Sequence, residues 1–146
     1  MADATTKPPV DSAAIASELR VVLGQLSRRL RAEHRIPMSH ATVLGRIDRC
    51  GPKSVSDLAS AERMRPQSMA QTVADMEADG LVERRPDPDD RRRALVTLTV
   101  EGAAALLDDR SRREGWLAGA IGEHLSSTEQ DVLEEAVELL RRLAEA

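Results

Sequence analysis

Between residues 80 and 102 the sequence changes its period, and that change constrains the fold more than any other feature. Up to Gly80 the apolar residues recur every three or four positions, the spacing of helices packed on one side. Leu81-Val82-Glu83-Arg84-Arg85 then reads as a strand, and Pro86-Asp87-Pro88-Asp89-Asp90 is a turn that no helix would tolerate. Beyond the arginines, Ala94, Val96, Leu98 and Val100 alternate with Leu95, Thr97 and Thr99, the two-residue period of a strand. The two runs can pair as a hairpin around residues 86–93. Helical periodicity returns after Thr99, which can cap the next helix with Glu101 near its N-terminal dipole. The chain is therefore expected to be mainly α with one small β-hairpin.

Before the hairpin the spacing predicts four helices. Ile15, Leu19, Val22, Leu23, Leu26 and Leu30 fall on one stripe of a long amphipathic helix from Ser12 to about His34. Pro37 ends that segment, Ser39 can cap a second helix, and Cys50-Gly51-Pro52 stops it. Ser54-Val55-Ser56-Asp57 resembles a capping box with Asp in place of Glu and opens a short third helix. After a turn near Arg63 to Arg65, Pro66 is a favoured first residue for a fourth, with Met69, Val73 and Met76 on one face. The helix after Thr99 runs to about Gly122, its ends blurred by Gly102, Gly115 and Gly119. Ser127-x-x-Gln130 reads as the box opening a last helix striped by Leu133, Val137 and Leu140. With no Phe, no Tyr and Trp116 alone, the core must be aliphatic.

Two short helices followed by a charged hairpin form a winged helix-turn-helix, in which the second helix enters a DNA major groove. If Met69, Val73 and Met76 face inward, Gln67, Gln71 and Ala74 face outward, with Ser68 and Ala70 beside them. Gln can bond adenine bidentately and Ser can serve phosphate or base. Arg65, just ahead of Pro66, can reach a phosphate or a guanine. The hairpin adds Arg85, Arg91, Arg92 and Arg93, with Asp90 placed to preorganise Arg92, and Ser54 joins them at the start of the third helix. A charge run is more often a solvated turn, and a polar helix face more often only surface. Here the two occur together where a winged helix meets DNA. A net charge of −4 does not oppose this, because phosphate binding depends on local potential.

The stretch 54–102 resembles the DNA-binding core of MarR-type (multiple antibiotic resistance) regulators. The matching features are Leu58-Ala59, Pro66, Met76-Glu77 before Gly80-Leu81-Val82, Arg85, the Asp87-Pro88-Asp89-Asp90-Arg91-Arg92 wing, and Leu98-Thr99 with Glu101-Gly102. The resemblance implies a homodimer whose N- and C-terminal helices interlock, with two recognition helices in successive major grooves of a near-palindromic operator. It also implies that Arg92 reaches a minor groove while Asp90 holds the wing. The implied function is repression, less often activation, relieved by a small ligand or by thiol oxidation. Arg65 stands where the family often has Ser or Thr, and its side chain cannot accept the helix N–H groups.

The organisation expected is a flexible arm over 1–11, a dimerisation helix over 12–36, a DNA-binding domain over 37–102 and dimerisation helices over 103–146. Ile15, Leu19, Leu23, Leu133, Val137 and Leu140 are the expected dimer contacts, since long amphipathic helices at both ends of a small chain suit an intersubunit bundle. The partners expected are a double-stranded operator, a second copy of the chain and an effector of open identity. A winged helix used only for protein contact is the alternative. No nucleophile–base pair, phosphate-cradling glycine loop or metal cluster points to an enzyme or a cofactor, and His34, His40 and His124 are irregularly spaced.

Cys50 reads as a buried structural thiol. A redox sensor is the competing reading, with Arg46 and Arg49 near enough to lower its pKa. Trp116 reads as core or interface. No apolar run approaches the roughly 18–20 residues that span a bilayer, and the N-terminus lacks a signal peptide's apolar stretch, so a cytoplasmic protein is expected.

Overall fold

The computed structural model describes residues 11–146, so most of the expected N-terminal arm lies outside the described residues. Six helices and one antiparallel hairpin follow in the order α1 (Ser12–Ala32), α2 (Met38–Cys50), α3 (Val55–Ala61), α4 (Pro66–Ala78), β1 (Val82–Pro86), β2 (Ala94–Leu98), α5 (Val100–His124) and α6 (Ser127–Ala144). This is the mainly α, winged helix-turn-helix class that the change of period demands. The chain divides into two compact units, up to Ala32 and from Glu33 onward.

The first unit is the helix α1. Asp11, just ahead of it, caps its start: the carboxylate accepts the Ala13 N–H at 2.9 Å, and the carbonyl accepts that of Ile15. This satisfies donors that a helix start leaves unpaired. No residue of α1 is buried, and Ile15, Val22, Leu23 and Leu26 are exposed.

The second unit has one aliphatic core. Val43, Leu44 and Ile47 from α2, Leu58 and Ala59 from α3, Met69, Val73 and Met76 from α4, Val82 and Val96 from the strands, and Leu106 from α5 form it. Each of the larger side chains contributes about 1.5–3 kcal/mol on burial. The strands pair in register Val82↔Leu98 to Pro86↔Ala94, and an isolated bridge between Lys53 and Val96 ties the segment before α3 to β2. Of the alternating set on β2, only Val96 is buried. Val100 is already the first residue of α5 and is 83% exposed.

The junction after β2 gives the Leu-Thr-x-x-Gly run a physical cause. Thr99 Oγ1 accepts the Gly102 N–H at 3.0 Å and donates to the Gly80 carbonyl at 2.6 Å, while its own N–H bonds the Leu81 carbonyl. Gly102 is buried so closely against Leu81 that an added Cβ would sit 1.8 Å from the Leu81 carbonyl oxygen. A side chain there would force helix and strand apart. Gly80, at φ 74°, adopts the left-handed conformation that ends α4.

Two caps differ from expectation. Helix α2 opens one residue before Ser39: Pro37 stands at the N-cap without a side-chain bond, and its carbonyl accepts the Ala41 N–H. Proline's fixed φ already turns the chain there, and the backbone needs no serine. Helix α6 is opened by Ser126 and Glu129 rather than Ser127 and Gln130: the Ser126 hydroxyl accepts the Glu129 N–H while the Glu129 carboxylate accepts that of Ser126. An ionised acceptor makes the stronger reciprocal bond, and these bonds hold the Glu129 carboxyl below its ordinary range. Helix α5 is unbroken through Gly115 and Gly119, yet its buried residues, Gly102, Leu106 and Asp109, all lie in its first half.

Candidate nucleic-acid interface

Helix α4 buries Met69, Thr72, Val73 and Met76 and leaves Arg65, Pro66, Gln67, Ser68 and Gln71 exposed. Ala70, expected on the outer face, is half-buried. Arg65 occupies the N-cap with extended backbone and makes no side-chain cap, as a guanidinium must, so its head is left for other partners. The turn from α3 into α4 passes through Arg63 at φ 52°, a left-handed residue, before the Met64 N–H bonds back to the Ala59 carbonyl. Gln71 is engaged: its amide donates to Asp75 Oδ1 at 2.8 Å. Asp75 is exposed one turn beyond Gln71, on the same face. Glu77 pairs with Arg84 on β1 at 3.0 Å.

The wing turn is built by its aspartates. Asp87 Oδ1 accepts the Asp89 N–H, Asp90 Oδ1 accepts the Arg92 N–H, and the Arg93 backbone closes the turn onto Asp87 and Asp90. Asp90 was expected to hold the Arg92 guanidinium; its carboxylate takes the backbone N–H instead, the usual reach of Asp within a tight turn. The wing arginines then separate into two groups. Arg84 pairs with Glu77, Arg85 with Glu83, and Arg93 with Asp57 at 2.6 Å and Ser54 at 3.0 Å. Among the described residues, Arg91 and Arg92 have no ion pair, and both are exposed at the tip. Two unneutralised guanidinium groups therefore stand at the end of the hairpin.

Ser54 is buried, and its hydroxyl caps α3 by accepting the Asp57 N–H at 3.1 Å. Hydrogen bonding by the Ser54 side chain to the carboxyl first, and the Arg93 charge after it, hold the Asp57 carboxyl below its ordinary range. Sequence reasoning identified the cap but not Asp57 as a partner of the wing, because a contact 36 positions apart leaves no periodic trace.

The sequence model of the MarR family matches residues 36–93. An HTH-type transcriptional regulator of Mycobacterium tuberculosis is 32% identical over 136 residues, covering 91% of this chain and 94% of that protein. A solved putative transcriptional regulator of Pseudomonas aeruginosa is 38% identical, with a TM-score of 0.84 over 94% of this chain and 99% of that one. The chain belongs to the MarR family. A MarR-family protein of Bacillus stearothermophilus, 21% identical, shares the fold at a TM-score of 0.78 over 94% of this chain and 100% of its own. So does a variant of Staphylococcus aureus MepR bound to an oligodeoxyribonucleotide, at 17% identity and 0.67, over 90% and 96%. This MarR-family chain is a transcriptional regulator and not an enzyme.

Two further features lie away from α4 and the wing. Asp109, fully buried on α5, accepts the Arg35 N–H at 2.9 Å, bonds His34 Nδ1 at 2.8 Å and pairs with Arg113 at 3.2 Å. His34, half-buried, is thereby tied to a fully buried carboxylate. Beside it a cleft of about 410 Å³ lies between α2 and α5, lined by His34, Thr42, Gly45, Arg49, Arg110 and Arg113 among others. Cys50, expected to be buried, is exposed, because α2 ends there in solvent. Among the described residues no helix is long and apolar enough to cross a membrane, and no cluster of His, Cys, Asp or Glu could hold a metal.

Proposed function

We propose that this regulator binds a specific DNA operator as a homodimer and represses transcription until a small effector releases it. The observation that carries the reading is the exposed face of α4 combined with a wing tip whose Arg91 and Arg92 have no ion pair. Gln67, Ser68 and Gln71 offer the donors and acceptors that read base edges, and Arg65 offers charge at the helix start. The wing guanidinium groups suit a narrow minor groove, whose negative potential attracts arginine. A neighbour of the same fold carries an oligodeoxyribonucleotide, which supports a DNA partner over a protein one.

Dimerisation is supported by apolar side chains left in solvent: Ile15 and Leu23 on α1, Val137 on α6, with Leu19, Leu133 and Leu140 half-exposed. Ordered helices that bury nothing of their own need a partner to offset the cost of fixing them. A two-fold dimer presents two α4 helices to half-sites about 34–36 Å apart, hence a near-palindromic operator. The cleft beside Asp109 is where a small effector would sit; its lining includes Arg110, paired with Asp48, Arg113, paired with Asp109, and Glu114, while Arg49 has no ion pair among the described residues and would receive an anionic group.

Selection from a random duplex pool tests the reading. The chain should enrich one near-palindromic sequence, and Arg92→Ala should weaken binding to it about tenfold in a gel-shift titration while the dimer persists. Failure to enrich any sequence would sink operator recognition; unchanged affinity on Arg92→Ala would sink the wing's part in it.

A further inference from the structure

Arg91, Arg92 and Arg93 are chemically alike in sequence, and the fold gives them different tasks. The Arg93 side chain turns back from the wing and donates from one nitrogen to Asp57 Oδ2 at 2.6 Å and to Ser54 Oγ at 3.0 Å. Its main chain is engaged as well: the N–H donates to the Asp90 carbonyl at 2.9 Å and the carbonyl accepts the Asp87 N–H at 3.0 Å. One residue therefore closes the wing turn with its backbone and grips the N-terminus of α3 with its side chain.

The acceptors are well prepared for that grip. Ser54 is buried with its hydroxyl already accepting the Asp57 N–H, and a hydroxyl has two lone pairs, so it can hold both donors. Asp57 is kept ionised by that serine and by Arg93. Three residues on, within β2, Val96 exchanges two backbone hydrogen bonds with Lys53, next to Ser54. The wing's second strand is thus fastened to the start of the helix-turn-helix at two levels, backbone and guanidinium.

We propose that Arg93 is a positioning residue for DNA binding and not a phosphate contact: by holding β2 on Ser54 and Asp57 it sets where Arg91 and Arg92 lie relative to α4. This rests on the DNA-binding reading above. The two roles predict opposite signs for Asp57. If Arg93 touches phosphate, removing the acid frees a cation and tightens binding. If Arg93 acts through Asp57, removing the acid loosens the wing and weakens binding.

The experiment measures affinity for the selected duplex, against salt concentration, for the wild type, Arg93→Ala, Asp57→Asn, the double variant, and the charge exchange Arg93→Asp with Asp57→Arg. Amide hydrogen exchange across residues 87–93 is followed without DNA in all five, which also reports whether each is folded. Each single variant should lose affinity by about two- to fivefold, the range of a half-exposed ion pair. The double should be no weaker than the weaker single, the charge exchange should recover affinity, and the Arg92 and Arg93 amides should exchange faster in both singles. Tighter binding by Asp57→Asn overturns the proposal. So do additive losses in which Arg93→Ala lowers the salt slope by about 0.9, the signature of one lost phosphate contact. If the wild type binds no duplex, the DNA reading itself has failed. Amide exchange then decides the tether alone: unchanged rates in both singles refute it.

Discussion

The helix-turn-helix with its wing and the two amphipathic helices α1 and α6 come from one chain with one aliphatic vocabulary, yet they use it oppositely. From α2 to the start of α5 every element sends at least one side chain into a closed core, down to Leu44, Leu58, Met69, Met76 and Val96 at 0% exposure. Helices α1 and α6 bury no residue at all and keep Ile15, Val22, Leu23, Val132, Val137 and Leu139 in solvent. The difference is not one of local helix quality, since α6 carries a complete capping box. One region is stabilised by its own interior; the other has a well-made backbone and an exposed apolar face.

Charge on the uncovered face of α6 should be poorly tolerated. Replacing Leu133 and Leu140 together with Asp should convert the proposed dimer to monomer in sedimentation and lower affinity for the selected duplex about a hundredfold or more, because two linked recognition helices would become one. The circular dichroism of the lobe should survive. A variant that stays dimeric would remove α6 from the interface.

Gly102→Ala addresses the other region. The new methyl would meet the Leu81 carbonyl, so stability should fall by about 1–3 kcal/mol in denaturant unfolding, and a neutral result would show that α5 can shift without cost. Ser126→Ala removes the α6 cap and should cost about 1 kcal/mol of helix stability. The Glu129 half of that cap has a sign in pH: its carboxyl is held low, so its contribution is present above the ordinary Glu range and lost as pH falls through the lowered value. Thermal melts that ignore acid in the Ser126→Ala variant and the parent alike would contradict this. Smallest of all, Gln71→Ala should change which sequence a random pool yields more than it changes non-specific affinity. Its amide is already shared with Asp75, which limits what it can lend to DNA.

Short-range order was legible in the sequence, and long-range pairing was not. Six helices, the hairpin, Pro66 at a helix start and Thr99 as a cap follow from period and turn chemistry, which act within a few residues. The caps expected at Ser39 and Ser127 lie instead at Pro37, two residues earlier, where the ring already sets φ, and at Ser126, one residue earlier, the serine with a glutamate three positions on. Asp90's choice of a backbone N–H over a guanidinium depends on turn geometry that composition does not carry. The Arg93–Asp57 tie and the His34–Asp109 junction, 36 and 75 positions apart, depend on tertiary placement alone. The burial predicted for Cys50 failed because the residue lies where a helix runs out into solvent.

Helix α5 has its fully buried residues at one end only. Its buried residues lie within its first ten positions, and the remainder runs on without a break to His124. At about 1.5 Å per residue the 25-residue helix is about 37 Å long. By that length, a tilt of about 5° at the root carries the far end about 3 Å. A displacement at Gly102 and Asp109, where the helix is buried, would therefore be largest at its opposite end.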